Sequence, residues 1–457
     1  MNPELILKEE KKKRSFLSLP LRVICSSFAL VIAIGTFLLF LPISSKSGEF
    51  TPLIDCLFTA TSATCVTGLI VYDTFTHWTV FGQMVILALI QIGGLGLVTF
   101  STFFSVVIGK KLGLRQMQLA QESINFGSVA DINKMLLRIV MAVLGIEAVG
   151  AVLLSLVFVP KYGLHGIYIS CFLAVSAFCN AGFDVLGFEN QYISLSNYNG
   201  QPIVLYTIMA LIVIGGLGFV VWKDLALYRS TKKLSLQTRV VLMMTAFLIL
   251  AGAAVFWVYE WNNTMEHLSF FEKINAGFMQ SVTMRTAGFN SIDIAALNPI
   301  TKGFSSVLMF IGAAPGSTGG GVKITTFSVL IMTVVSVLQD RSEVVIWGRR
   351  VDKNVVYKAV TIVVLGLTLV ISTSLIVSAL LPPVISFLDV IFEVISAFAT
   401  VGVSAGVTGQ LGTVSKLLFI LLMYLGRVGP VSFALSLASG EGKGKKEVMP
   451  EGKIVVG

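Results

Sequence analysis

Four stretches of this chain end alike. TATSATCVTGL runs to Leu69, AVSAFCNAGF to Phe183, SVTMRTAGF to Phe289 and VISAFATVGV to Val403. Each carries a glycine (Gly68, Gly182, Gly288, Gly402), and a phenylalanine (Phe58, Phe172, Phe278, Phe392) stands ten positions before it. The glycines are 114, 106 and 114 residues apart. That period exceeds the roughly 20–50 residues of solenoid repeats. It suits a unit of two membrane crossings with their loops. Four such units about one axis would bring four glycines and their backbone carbonyls together, an arrangement made for passing ions.

Composition places those units in a bilayer. The chain of 457 residues is 55% hydrophobic and 12% charged, with mean hydropathy +0.88, outside the range of soluble domains. Apolar runs long enough to span recur along it. They predict helix pairs at 21–42 and 79–109, 136–159 and 202–222, 240–259 and 303–338, and 358–381 and 415–438. The first run is too long for a cleaved signal, and LPISSKSGEF offers no small-x-small cleavage site. Basic residues gather before the first pair, between pairs and after the last, for example Lys11, Lys12, Lys13 and Arg14, or Arg341, Arg349, Arg350 and Lys353. The positive-inside rule therefore places both termini and the three linkers in the cytoplasm. The net charge of +9 follows from this asymmetry, and no basic folded face points to nucleic acid.

Cys25, Cys56, Cys65, Cys171 and Cys179 lie in or beside apolar segments without CxxC spacing, and the three histidines are scattered. Buried packing is the reading for the cysteines, with no metal or disulfide framework. No segment has the size and composition of a soluble domain, so a regulatory domain would be a separate chain.

Between the paired spans lie segments too short to cross twice: 53–63, 166–177, 270–282 and 387–397. They must dip in and return, which is tolerated only where protein or a water path satisfies the backbone. The unit thus reads helix, re-entrant pore helix, extended strand, helix. The fold predicted is an all-α integral membrane protein of four such tandem repeats (21–109, 136–222, 240–338, 358–438) in pseudo-four-fold arrangement around one pore. Cytoplasmic segments 1–20 and 439–457 flank them. Asp55 and Asp389 sit near pore-helix N-termini, where carboxylates suit the dipole. Ile169 and Asn275 occupy the matching positions, so these residues read as caps and not as a charge ring. The inward C-terminal ends of the pore helices favour a cation.

Each second helix carries a glycine group: Gly93–Gly96, Gly215–Gly218, GAAPGSTGGG at Gly312–Gly321, and GRVGP at Gly426–Pro430. In the first two, close helix packing explains the glycines. The third cannot continue a helix through Pro315 and its glycines and predicts a polar loop at membrane depth. Its likeness to a phosphate loop is superficial, because GK[ST] is missing. Two charges stand in apolar segments, Glu147 and Arg427, and Arg427 is expected to face a water-filled interior. The plainer alternative pairs them with each other or with backbone carbonyls.

These residues resemble the membrane subunit of the Ktr-type potassium transporters, in the Trk/Ktr/HKT superfamily. TCVTGL, CNAGF, RTAGF and TVGV resemble its four degenerate filters, GAAPGSTGGGVK its intramembrane gating loop and YLGRVG its pore arginine. The likeness covers about residues 20–440. Every filter here keeps its glycine, whereas some plant relatives carry serine in the first. The resemblance implies K+ as substrate, moved into a bacterial cell across its cytoplasmic membrane, with sodium stimulation in many members. It also implies a homodimer with one pore per subunit, and a cytosolic ring of RCK-type subunits gating in response to ATP or ADP. No cofactor is expected in this chain itself.

In this reading the ion dehydrates against carbonyls of Val66, Thr67, Gly68 and Leu69; Asn180, Ala181, Gly182 and Phe183; Thr286, Ala287, Gly288 and Phe289; and Thr400, Val401, Gly402 and Val403. The gate is Gly312, Ala313, Ala314, Pro315, Gly316, Ser317, Thr318, Gly319, Gly320 and Gly321, with Arg427. An alternating-access secondary transporter would call for inverted or paired repeats, and the four repeats here share one orientation. An intramembrane enzyme would need a nucleophile–base or acidic pair, and none stands out.

Overall fold

The computed structural model describes residues 23–96, 132–341, 343–429 and 433. The segments predicted at 1–20 and 439–457, the continuations of helices to 109 and 438, Pro430, and the basic residues at 8–14, 110, 111, 115 and 443–453 lie outside the described residues.

Among the described residues, four helices are long and apolar enough to cross a membrane: α1 (Val23–Phe40), α5 (Ile132–Tyr162), α9 (Leu236–Glu260) and α13 (Lys353–Leu380). Exposed Val152, Leu156, Phe247, Leu250, Val364 and Ile371 line their outer faces, an apolar surface that only lipid covers without cost. Each leads to a short helix: α2 (Leu53–Thr64), α6 (Leu164–Phe178), α10 (Phe270–Thr283) and α14 (Phe387–Phe398). Local chemistry sets several of these starts. Ser269 N–H donates to Glu272 Oε2 at 2.8 Å, and Ser386 Oγ accepts from the Leu388 N–H, satisfying donors that a helix start leaves free. Each short helix ends just before its glycine turn. Of the register phenylalanines, Phe58, Phe172 and Phe392 are fully buried, and Phe278 is partly buried edge-on to Trp257.

In the second and third pairs the second helix is shorter than expected. α3 (Thr74–His77) precedes α4 (Val80–Leu95); α7 (Pro202–Leu217) follows α6; α11 (Pro299–Phe310) follows α10; and α15 (Thr413–Val428) follows α14. At 1.5 Å per residue the 16-residue members reach only about 24 Å. The sequence reading of 202–222 as one span is corrected: α7 stops at Gly218, whose φ is +87°, and α8 (Phe219–Thr231) departs at 96°. The reading of 303–338 as one element is likewise divided into α11 and α12 (Ile324–Leu338) by the glycine loop. A two-residue antiparallel hairpin, β1 (Val345–Ile346) and β2 (Arg349–Arg350), joins α12 to α13.

Packing links the pairs in sequence order. α4 lies against α6, α7 against α10, α11 against α14, and α15 returns to α2. Four of the cysteines are buried as expected, but Cys171 is exposed on α6, because its helix turns that face away from the core.

Candidate functional site

The glycine turns share one backbone conformation. Gly68, Gly182, Gly288 and Gly402 have φ of +97°, +70°, +88° and +90°, and the residues two before them, Val66, Asn180, Thr286 and Thr400, have +57°, +59°, +66° and +52°. Left-handed residues alternating with right-handed or extended ones turn successive carbonyls to one side of a strand. Side-chain-bearing residues hold that conformation only when their surroundings impose it. Here they do. Thr67, Ala181 and Val401 N–H groups each donate at 2.8 Å to the carbonyl five residues back. In the third turn Ala287 N–H instead reaches Thr283 O, four back, at 3.0 Å.

The turns meet one another in a closed cycle. A β-carbon on Gly68 would lie 2.5 Å from Ala181 O; one on Gly182, 2.8 Å from Ala287 O; and one on Gly288, 2.8 Å from Val401 O. One on Gly402 would meet Thr67 O and stand 2.7 Å from Gly68 Cα. Each glycine leans on the next strand's residue in the same rotational sense. Leu69, Phe183, Phe289 and Val403 are buried immediately after them. The structure therefore brings all sixteen predicted strand residues to one place. Thr67 Oγ1, Asn180 Oδ1 and Thr400 Oγ1 are buried there without a hydrogen-bond partner, while Asn180 Nδ2 donates to Thr286 Oγ1 at 3.5 Å. Such neutral oxygens suit an alkali cation. No group of His, Cys, Asp or Glu could hold a metal among the described residues.

Behind the cycle, the first two glycine groups do the close packing expected of them, and Gly426 of the fourth does the same. β-Carbons on Gly93, Gly215 and Gly426 would collide with the carbonyls of Thr64, Phe178 and Phe398, each four residues before its turn glycine. In the third pair the loop 312–321 takes that place. Gly312 N–H donates to Val322 O at 2.8 Å, Ala313 O accepts from Ile324 N–H at 3.2 Å, and Ala314 N–H reaches Gly216 O at 3.1 Å. Pro315 and Gly316 carbonyls lie over Gly218, Ser317 Oγ donates to Ala314 O at 2.6 Å, and Thr318 N–H reaches Gly215 O at 3.3 Å. Gly319 sits against Thr286, Gly320 against Thr400 and Gly321 against Ala399. The loop thus packs against residues just before the third and fourth turn glycines.

Arg427 ties this loop down. Its Nη1 donates to Thr318 O and its Nη2 to Gly93 O, with Gly94 O at 3.4 Å. Glu147 is not its partner; its two carboxylate oxygens accept from Gln91 Nε2 at 3.2 Å. Sequence reasoning missed Lys323, whose Nζ donates to Gly319 O at 2.7 Å. Its place at the end of GGGVK was the available signal. It also missed the buried Arg285, which stands where the other strands have Cys65, Cys179 and Ala399.

The reading of Asp55 and Asp389 as caps is corrected: they stand in the first turns of α2 and α14, whose N-cap positions are Pro52 and Ser386, and they bind lysines instead. Lys416 of α15 meets Asp55 of α2 at 2.5 Å, and Lys302 of α11 meets Asp389 of α14 at 2.6 Å. The other two junctions use neutral groups: Tyr168 donates to Gln83 Oε1 at 2.8 Å, and Tyr206 to Asn275 Oδ1 at 2.9 Å. One polar bridge thus ties each short helix to the pair before it. The Lys416–Asp55 side chains are only 14% and 5% exposed, and removing one partner from a buried pair costs about 3–5 kcal/mol. Lys416→Met alone is expected to lower the melting temperature in detergent clearly, and the double variant Asp55→Leu/Lys416→Met to recover most of it. A single variant as stable as the parent would reduce the pair to a surface contact.

A family model described as TrkH, cation transport protein, matches residues 5–443. The chain belongs to that family. Ktr system potassium uptake protein B of Bacillus subtilis is 40% identical to it over 96% of this chain and 97% of its own length. Potassium/sodium uptake protein NtpJ of Enterococcus hirae is 38% identical over 99% of this chain and 100% of its own. The crystal structure of the potassium transporter TrkH from Vibrio parahaemolyticus superposes with a TM-score of 0.69 at 17% identity, over 93% of this chain and 84% of that one, a likeness of fold. The TrkH family consists of cation transport proteins, so this chain is no intramembrane enzyme. It is a multi-pass protein.

Proposed function

We propose that this chain is the pore-forming subunit of a potassium uptake system, four repeats surrounding one path along which K+ moves inward through a backbone-carbonyl filter. The observation that carries this is the cycle of Gly68, Gly182, Gly288 and Gly402, each against the next strand's carbonyl. A ring of that kind replaces an ion's hydration shell by carbonyl oxygens, and the C-terminal ends of four short helices add partial negative charge. The names of the 40% and 38% identical relatives point to potassium, and that of the second to sodium as well. Sodium stimulation therefore belongs to the reading. The basic linkers place both termini in the cytoplasm. There a ring of RCK-type subunits binding ATP or ADP would act on the gate, with two copies of this chain forming a homodimer.

Expression in a bacterium without potassium uptake of its own tests the reading. Growth at low potassium and uptake competed by rubidium more than by sodium are expected. No uptake from correctly inserted protein, with its regulatory subunit co-expressed, would overturn it.

The gate in this proposal is the loop 312–321, held by Arg427 and by Lys323. Deleting 316–320 removes the segment lying under Thr286 and Thr400 and is expected to raise uptake several-fold and weaken its dependence on the cytosolic partner. Lost flux in folded, inserted protein would make the loop a support for the filter.

A further inference from the structure

Away from the glycine turns, where α12 ends and α13 begins, a cleft of about 220 Å³ opens between the two helices and the hairpin. Arg341, Arg350 and Lys353 line it, with the hydroxyl residues Thr333, Ser336 and Tyr357. Glu343 also lines the cleft and pairs with Arg350 at 2.9 Å, leaving an excess of two positive charges.

Three separate backbone devices hold the cations there. α12 closes with Asp340 in the left-handed region at φ +53°. Asp340 N–H bonds Val337 O at 3.0 Å and Arg341 N–H bonds Ser336 O at 2.9 Å, the paired bonds of a Schellman closure. That closure turns the chain so that Arg341 lines the cleft. The hairpin turn uses Trp347 and Gly348, both left-handed at φ +46° and +74°, as a two-residue turn matched to strand twist requires. It sets Arg350 opposite Val345. Asp352 caps α13 by accepting from Asn354 N–H at 2.9 Å, which makes Lys353 the first residue of that helix, at its positive end.

The surroundings of the cleft are apolar and open. Leu338 is 81% exposed and Val337 69%, and Trp347 and Tyr357, side chains typical of a membrane–water boundary, are also exposed. A fixed cation cluster with hydroxyls, beside an exposed apolar helix face, has the chemistry of a phosphate-ester site.

We propose that this cleft binds a phosphate group, presented either by the headgroup of an anionic phospholipid or by a soluble phosphate. The guanidinium groups of Arg341 and Arg350 take its oxygens, Lys353 adds charge, and an acyl chain has the exposed Val337 and Leu338 face to lie on.

The full chain purified in detergent, titrated with phosphatidylglycerol, phosphatidylcholine or inorganic phosphate, tests this by native mass spectrometry and melting temperature. Phosphatidylglycerol is expected to bind and to raise the melting temperature, with phosphatidylcholine far weaker. The triple variant Arg341→Gln/Arg350→Gln/Lys353→Gln should lose at least tenfold in apparent affinity, whereas the control Arg229→Gln/Lys232→Gln, at exposed positions at the end of α8, should not. Equal stabilisation by inorganic phosphate, also lost in the triple variant, would assign the source as soluble. Full retention of phosphatidylglycerol binding by a triple variant that elutes and melts like the parent would overturn the proposal. So would the absence of any response to phosphatidylglycerol and phosphate in the parent.

Discussion

With Gly68 in the proposed filter, Gly68→Ser is expected to cost at least about tenfold in the preference for potassium over sodium while leaving insertion intact. A β-carbon there would stand 2.5 Å from Ala181 O and 3.2 Å from Gly182 Cα, too close for either strand to stay in place. Its φ of +97° adds strain for any residue with a side chain, of order 1–3 kcal/mol. Since about 1.4 kcal/mol is a tenfold change in an equilibrium, even partial relaxation spoils the discrimination. The damage is directional. It passes first to Ala181 and Gly182, so the second strand moves more than the fourth. Relative uptake of potassium and sodium, normalised to protein in the membrane, is the measurement. An unchanged ratio would remove Gly68 from the filter.

Arg427→Ala should raise the maximal uptake rate with little change in ion preference. A guanidinium stays protonated, and at an effective dielectric of 20 a unit charge repels a cation 4 Å away by about 4 kcal/mol. Its bonds to Thr318 O and Gly93 O add a mechanical part, fastening the loop to the end of α4. Alanine removes both the charge and the fastening. Arg427→Lys keeps the charge but cannot form the same fork, so it separates the two: flux near the parent's points to charge, and flux near that of alanine points to fastening. A poorly folded alanine variant with no gain in flux per molecule would defeat the gate reading and leave Arg427 as a structural anchor.

The short helices were legible because their signals are local. Each fills a gap between spans too short to cross twice, the glycine turns mark the ends, and the bounds of α2, α10 and α14 fall within one residue of those predicted. The break at Gly218 was not legible. GGLG closes the second helix in both the first and second pairs, with Gly96 at φ +79° and Gly218 at φ +87°, yet the motif reads in sequence as helix packing alone. Nor do Lys416 and Lys302 announce their partners in sequence, since their carboxylates lie 361 and 87 residues away. For Arg427 the position in an apolar run announced a special role, but not that its acceptors would be carbonyls rather than Glu147.

The junction of the last pair with the first has a consequence for how the protein is made. Gly402 against Gly68, Lys416 with Asp55 and Arg427 with Gly93 all close that one seam. Each joins a residue synthesised near the beginning to one synthesised near the end. A channel assembled from identical subunits can borrow a neighbour to complete its wall; here the same chain must return to its own start. Closing such long loops is slow relative to local helix formation. Until the last pair is made, Asp55, Gly68 and Gly93 stand without these partners, and a chain truncated before it leaves them so.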